Sequence, residues 1–208
     1  MPEALQVAIV DYDAGNTLSV TRALQKVGAS VDLTPDPERV LAADAVVLPG
    51  VGAFGDCMRK VRERGMDEAC GEAFASGKPF LGVCVALQIV FEASEETPGV
   101  EGLGLMPGRV VRFTARDLKI PHIGWNELSV VHDHPVLHGL DREAFYFVHS
   151  YFPVPDDSGH LVGETDYGGR FCSAAGTENL IAVQFHPEKS SRAGLKLYEN
   201  FLAWTRSV

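Results

Sequence analysis

Cys84 stands in the run Phe80-Leu-Gly-Val-Cys-Val-Ala-Leu-Gln88, with a small residue two positions before it (Gly82) and two after (Ala86). Residues 80–83 read as a buried strand and 85–91 have helical spacing, so position 84 falls at an abrupt reversal. A residue at such a turn is held in a strained conformation, and small neighbours let strand and helix approach closely. The thiol then points out of the sheet at a helix N-terminus, where free amides and the helix dipole stabilise a thiolate. The plain alternative is a small buried hydrophobe, which is what most free cysteines are.

A nucleophilic cysteine needs a base and a group to orient that base. Phe185-His-Pro-Glu188 supplies both at the end of a second apolar strand. With one residue between them, His186 and Glu188 can lie on one side of an extended strand end. His186 can then take the thiol proton while Glu188 holds the imidazole. Alone, the segment reads as a loop histidine beside an exposed acid. A cysteine elbow and a His-x-Glu strand end in one chain favour the catalytic reading.

Two other motifs invite chemistry. Pro49-Gly-Val-Gly-Ala-Phe-Gly55 spells the G-x-G-x-x-G fingerprint, but it follows the third strand rather than the first, so dinucleotide binding is disfavoured. Its glycines instead suit a peptide that turns an N–H toward a developing oxyanion. His132-Asp-His-Pro-Val-Leu-His138 resembles a metal cluster, but Pro135 and Gly139 prevent a regular helix, so a solvated loop is expected and no metal.

These residues need a scaffold. Strands are expected at 6–10, 30–34, 45–48 and 80–83, with helices at 16–27, 56–64, 66–76 and 85–91 between and after them. That alternation argues for a parallel sheet with helices on its faces. The second half reads as strands at 108–113, 126–131, 144–149, 161–167, 170–175 and 181–185, with a hairpin turn at Tyr167-Gly-Gly-Arg170 and a closing helix at 192–205. The expected fold is α/β: one domain over 1–208, a mostly parallel central sheet with flanking helices, and an antiparallel portion.

Composition narrows the setting. The 208 residues suffice for one substantial core, and the formal charge of −10 disfavours nucleic acid and anionic membrane as partners. No apolar run is long enough to span a bilayer, and the N-terminus lacks the basic region of a signal peptide. Four cysteines without C-x-x-C spacing suggest neither a disulfide framework nor a zinc site, and fit a reducing, cytoplasmic setting.

Taken together, "IVDYDAGN" (9–16), "LPGVGAFG" (48–55), "KPFLGVCVALQ" (78–88), "KIPHIGWN" (119–126), "FVHSY" (147–151) and "QFHPEKS" (184–190) resemble the class I, triad-type glutamine amidotransferases over essentially the whole chain. "DYDAGN", "PHIGWN" and "FHPEKS" resemble the branch that forms the glutaminase subunits of imidazole glycerol phosphate synthases in histidine biosynthesis. The resemblance implies a flavodoxin-like fold, glutamine as substrate and no cofactor. It implies Cys84 as nucleophile forming a glutamyl thioester, His186 as base and then acid, and Glu188 as orienter. It also implies an oxyanion hole from the Val51 and Val85 amides, and glutamine binding by Gly50, Gly52, Gln88, His149, Ser150 and Tyr151. Asn16, Trp125, Tyr146 and Lys189 are implied to face a (β/α)8-barrel cyclase that receives the ammonia in a heterodimer.

One departure stands out. The family elbow reads G-x-C-x-G-x-Q, whereas Ala86 takes the place of its second glycine, so crowding between strand and helix is expected, with relief in Ala86→Gly. Rotation of the 50–51 peptide between its glycines is expected to gate the oxyanion hole, and Gly50→Ala to disturb it. The alternatives are a stand-alone cysteine hydrolase on a similar sheet, an amidotransferase subunit of another biosynthetic synthase, and a non-catalytic scaffold. The glutamine-binding segments speak against the first, the subunit-specific motifs against the second, and the intact triad against the third.

Overall fold

The computed structural model describes residues 5–114 and 118–208; the first four residues, which belong to the N-terminus expected to lack a leader, lie outside them. Strand and helix alternate through the first half: β1 (Gln6–Val10), α1 (Thr17–Lys26), β2 (Ser30–Thr34), α2 (Pro37–Ala42), β3 (Ala45–Gly50), α3 (Phe54–Glu63), α4 (Met66–Ala75), β4 (Phe80–Cys84) and α5 (Val85–Ile89). The second half is strand-rich: β5 (Ala93–Ser94), β6 (Gly108–Arg112), β7 (His122–Glu127), β8 (Ser129–Val130), β9 (Ala144–His149), β10 (Tyr151–Pro155), β11 (Leu161–Asp166), β12 (Arg170–Gly176) and β13 (Leu180–Val183), closed by α6 (Ser191–Thr205).

Among the described residues the main sheet has the order β2-β1-β3-β4-β13-β12-β11-β8. Its first five strands are mutually parallel, and β12, β11 and β8 extend it antiparallel. The central strands are apolar along their length because both faces are covered. Val7, Ile9, Val47, Leu81 and Val83 face the side packed by α1 and α6; Ala8, Val10, Val46, Leu48 and Phe80 face the side packed by α2, α3, α4 and α5. Two smaller sheets, β10-β6-β5 and the β7–β9 ribbon, meet the chain just beyond the carboxyl ends of the parallel strands, where the His186 amide after β13 donates to the Tyr146 carbonyl of β9 and Gln88 of α5 to the Tyr151 carbonyl of β10. Ligands of open α/β sheets bind at that edge.

The α/β class and the added antiparallel portion are as expected, and three local readings need correction. The strand expected at 126–131 is two: β7 begins at His122 and pairs with β9, while β8 pairs with β11 beyond the buried Leu128. α2 escapes periodicity because it is short; Asp36 caps it, accepting from the Glu38 amide at 3.0 Å, and Pro37 opens it. β10 carries Pro153 and Pro155, which argue against a central strand, and it forms the edge of its sheet.

The elbow's packing settles how Ala86 is tolerated. A Cβ on Gly82 would lie 2.9 Å from the Ala182 Cβ and 3.3 Å from the Ala86 Cβ. The Ala86 methyl is fully buried in the space that Gly82 leaves open, so the expected crowding is absent. Gly82→Ala should therefore lower the denaturation free energy by about 1–3 kcal/mol through overpacking. Ala86→Gly should cost about 1 kcal/mol and leave the fold intact. Chemical denaturation midpoints check both; a more stable Ala86→Gly chain would restore the crowding account.

Candidate active site

Cys84 ends β4 at φ 60° and ψ −111°, and α5 starts at the next residue. A non-glycine residue rarely adopts that conformation. Neighbouring strands hold it there: Gly50 is level with Cys84 across the β3–β4 pair, and Val183 is level with Val83 across β13–β4. Strand β13 thus delivers the 184–188 segment beside the cysteine, at the carboxyl edge of the sheet.

There His186 Nδ1 lies 2.8 Å from Glu188 Oε1, both side chains being almost wholly buried. Nε2 is buried without a hydrogen-bond partner. Burial by itself would lower the imidazole pKa, but the neighbouring Cys84 sulfur and the Glu188 carboxylate outweigh it and raise it to about 9. Burial likewise opposes ionisation of Glu188, and the bond and charge of His186, helped by Asn16, hold its pKa below the ordinary value. Glu188 is thus an ionised orienter, and His186 has one nitrogen committed to it while the other, beside Cys84, holds the proton that sulfur gives up. Because the His186 pKa is raised above its ordinary 6.5, this pairing contributes stability fully below that pH and loses it as pH rises through about 9.

Two helix N-caps are diverted to hold this arrangement. Asn16, at the start of α1, makes no capping bond and donates from Nδ2 to Glu188 Oε1 at 3.1 Å. Ser190, before α6, donates to the His186 carbonyl at 2.6 Å and accepts from the Tyr146 amide at 3.0 Å. The His186 amide donates to the Tyr146 carbonyl at 2.9 Å, tying the histidine to β9.

A cavity of about 650 Å³ opens over Cys84 and His186. Of the expected substrate and oxyanion residues, Val51, Gly52, Val85, Gln88, His149, Ser150 and Tyr151 line it; Asn16 and Lys189, expected at a partner face, line it too. Gly50 does not. A Cβ there would lie 2.9 Å from Tyr12 Oη, 3.0 Å from Val85 Cγ1 and 3.1 Å from the Ala86 amide nitrogen, so Gly50→Ala would force backbone apart rather than tune a rotation. Below the loop, Tyr12 donates to the Pro49 carbonyl at 2.7 Å and the Cys57 thiol to the Val51 carbonyl at 3.5 Å. Both neighbours of the 50–51 peptide are therefore tethered. Glu96 was missed in the sequence: it lines the cavity and accepts from the Phe54 amide at 2.7 Å. It sits in the acidic run Glu92–Glu96, where nothing in spacing distinguishes it from a solvated face.

Trp125 and Tyr146 lie outside the cavity, edge to face at 6.3 Å, with the Lys189 ammonium 5.8 Å from the Tyr146 ring centre. Trp125 is 55% exposed, and Leu18, Val51, Ile123 and Val148 are exposed apolar residues as well. In the His132–His138 segment, His132 and Asp133 are exposed, whereas His134 is not in a solvated loop: it is buried edge-on against Trp204 at 5.0 Å. The other three cysteines are free thiols. Burial pushes Cys57 up to about 11 and Cys70 to about 12, and raises Cys172 as well.

A cysteine elbow on the central strand, a His–Glu pair at the end of the next and a polar cavity above them form a nucleophile–base–orienter site. The family model for class I glutamine amidotransferases matches residues 8–204, and the chain belongs to that family. It is 48% identical over 203 residues to the imidazole glycerol phosphate synthase subunit HisH of Nitrosococcus oceani, covering 95% of this chain and 97% of that one. It is 51% identical over 209 residues to the HisH subunit of Aromatoleum aromaticum, covering 95% and 98%. Among solved structures, a chain of PurLQS from Thermotoga maritima superposes with a TM-score of 0.73 at 17% identity, covering 97% of this chain and 99% of that one, a likeness of fold.

The electrostatics of the pair can be measured directly. Glu188→Gln removes the carboxylate that holds the imidazolium, so the NMR titration midpoint of His186 should fall below about 9. An unmoved midpoint would mean that Glu188 does not orient the base.

Proposed function

We propose that the chain is the glutaminase subunit of an imidazole glycerol phosphate synthase and hydrolyses glutamine to glutamate and ammonia. The observation that carries this is the free Nε2 of His186 beside Cys84, with Nδ1 already engaged by Glu188. The near full-length similarity to HisH subunits supports the choice of synthase. The chain acts as one amidotransferase domain in the cytoplasm, a setting that suits its free thiols.

Glutamine enters with its carboxamide carbon over Cys84. The sulfur, its proton already held by His186 Nε2, attacks, and the amide oxygen becomes an oxyanion met by the Val51 and Val85 amides. The tetrahedral centre collapses, the C–N bond breaks, and ammonia leaves with the proton from His186, giving a glutamyl thioester. Water, deprotonated by the same nitrogen, then attacks the thioester and glutamate departs. Gln88, Glu96 and the 149–151 segment hold the amino-acid end, with the Glu96 carboxylate suited to an ammonium group.

The partner is a (β/α)8-barrel cyclase that takes the ammonia through an enclosed path and cleaves its ribotide substrate into imidazole glycerol phosphate and an aminoimidazole carboxamide ribotide. The exposed Trp125, the Tyr146–Lys189 pair and the apolar rim around the cavity mouth suit this docking. Docking biases the 50–51 peptide, the one between the two tethered carbonyls, toward an inward Val51 N–H.

Cys84→Ala should abolish glutamine-dependent synthesis by the assembled enzyme and spare synthesis from added ammonium salt, because the nucleophile only frees ammonia. Equal loss of both would make Cys84 structural. Glutamate release should be low in the isolated chain and rise by about 10²–10³ in the complex loaded with ribotide, the range spanned by one oxyanion donor. Equal rates in the isolated chain, the complex and the loaded complex would rule out gating by the partner.

A further inference from the structure

A chain of hydrogen bonds, buried at its His122–His149 link, runs from the β7–β9 ribbon to the floor of the cavity, and its direction can be read from its end. The Tyr151 carbonyl can only accept, and His149 Nδ1 lies 2.8 Å from it, so Nδ1 carries the proton. His149 is 6% exposed, and burial keeps it neutral by lowering its pKa to about 3. Its Nε2 is then an acceptor. His122 Nδ1 lies 3.2 Å away and must donate. His122 is neutral for the same reason, its pKa lowered to about 4, so its own Nε2 accepts from Asn126 Nδ2 at 3.4 Å. The Asn126 amide is fixed in turn: Nδ2 donates to the Asp166 carbonyl at 2.8 Å and Oδ1 accepts from the Glu127 amide at 2.9 Å.

The His122 ring is packed on its faces in this orientation. It is stacked between Tyr167, at 3.9 Å, and Phe147, at 5.0 Å, and the Tyr167 hydroxyl is bonded to the Lys119 carbonyl at 2.7 Å. At the inner end, the Tyr151 carbonyl also accepts from Gln88 Nε2 at 3.1 Å, while the second proton of that amide goes to Gln184 Oε1 at 3.2 Å. Both Gln88 donors are used, which leaves its Oε1 as the free edge in the cavity.

We propose that His122 and Asn126, neither of which lines the cavity, are positioning residues for glutamine: they hold His149 in its Nδ1–H tautomer and so fix the Tyr151 carbonyl and, through it, the Gln88 carboxamide whose Oε1 meets the substrate. The proposal rests on the reading of this cavity as the glutamine pocket. It separates two demands on one ribbon, whose Trp125 side faces outward while its His122 side sets the pocket.

Two measurements test it. In the unmodified protein, two-bond 15N–1H correlation spectra should show His122 and His149 as neutral Nδ1–H tautomers, the opposite of the form that free neutral imidazole prefers. Either ring in the Nε2–H form overturns the relay, whatever the variants do. In the assembled enzyme, His122→Phe keeps the stacking and loses the donor, so the KM for glutamine should rise roughly tenfold with kcat within about twofold. His122→Asn restores an N–H near the Nδ1 position and should bring KM back to within about twofold. If Phe and Asn raise KM alike, or lower kcat alike without a KM change, the side chain is merely structural and the proposal fails. A wild-type enzyme without glutaminase activity would count against the proposed function, and the tautomer spectra would still decide the relay.

Discussion

A cysteine at φ 60° and ψ −111° sits on the order of 1–3 kcal/mol above its relaxed conformations, and it persists only where its surroundings leave no alternative. Here β3 and β13 pair with β4 up to the turn, α5 begins without an intervening residue, and Gly50 and Gly82 admit neighbours that a side chain would expel. The thiol is presented at the sheet edge because the backbone cannot lie down. His186 and Glu188 reach it through the same pairing, since the register of β13 against β4 sets where the 184–188 segment emerges.

The supporting residues show a consistent preference for positioning over local stability. Asn16 and Ser190 stand where helix caps belong, and both give their side chains to the His186–Glu188 pair. Losing a cap costs a helix typically about 1 kcal/mol. The long α6 and the packed α1 tolerate this because their apolar faces are buried in one core that also contains Cys84. Stability at the site is therefore borrowed from the hydrophobic layers beneath it.

Much of this was legible in the sequence because it rests on local spacing. The elbow needs small residues at 82 and 86, the His-x-Glu segment needs a strand before it, and the alternation of strands and helices shows in the apolar runs. What was hidden depends on contacts between distant segments. Asn16 read as a partner-facing residue because nothing local shows that α1 starts beside Glu188. Gly50 read as a substrate contact, whereas Tyr12 and Val85 close over it. Glu96 disappeared into an acidic run. The split of 126–131 into β7 and β8 turns on Leu128, whose burial is decided by strands far along the chain.

The four thiols of this chain live in different chemical worlds, and that gives the protein an inherent chemoselectivity. Cys57, Cys70 and Cys172 are kept protonated by their surroundings and do not line the cavity over His186. Among the described residues, Cys84 is the cysteine that lines that cavity with His186. Electrophiles and oxidants small enough to enter thus meet a single competent sulfur, and the chain carries its own built-in labelling handle without any cysteine having to be engineered away.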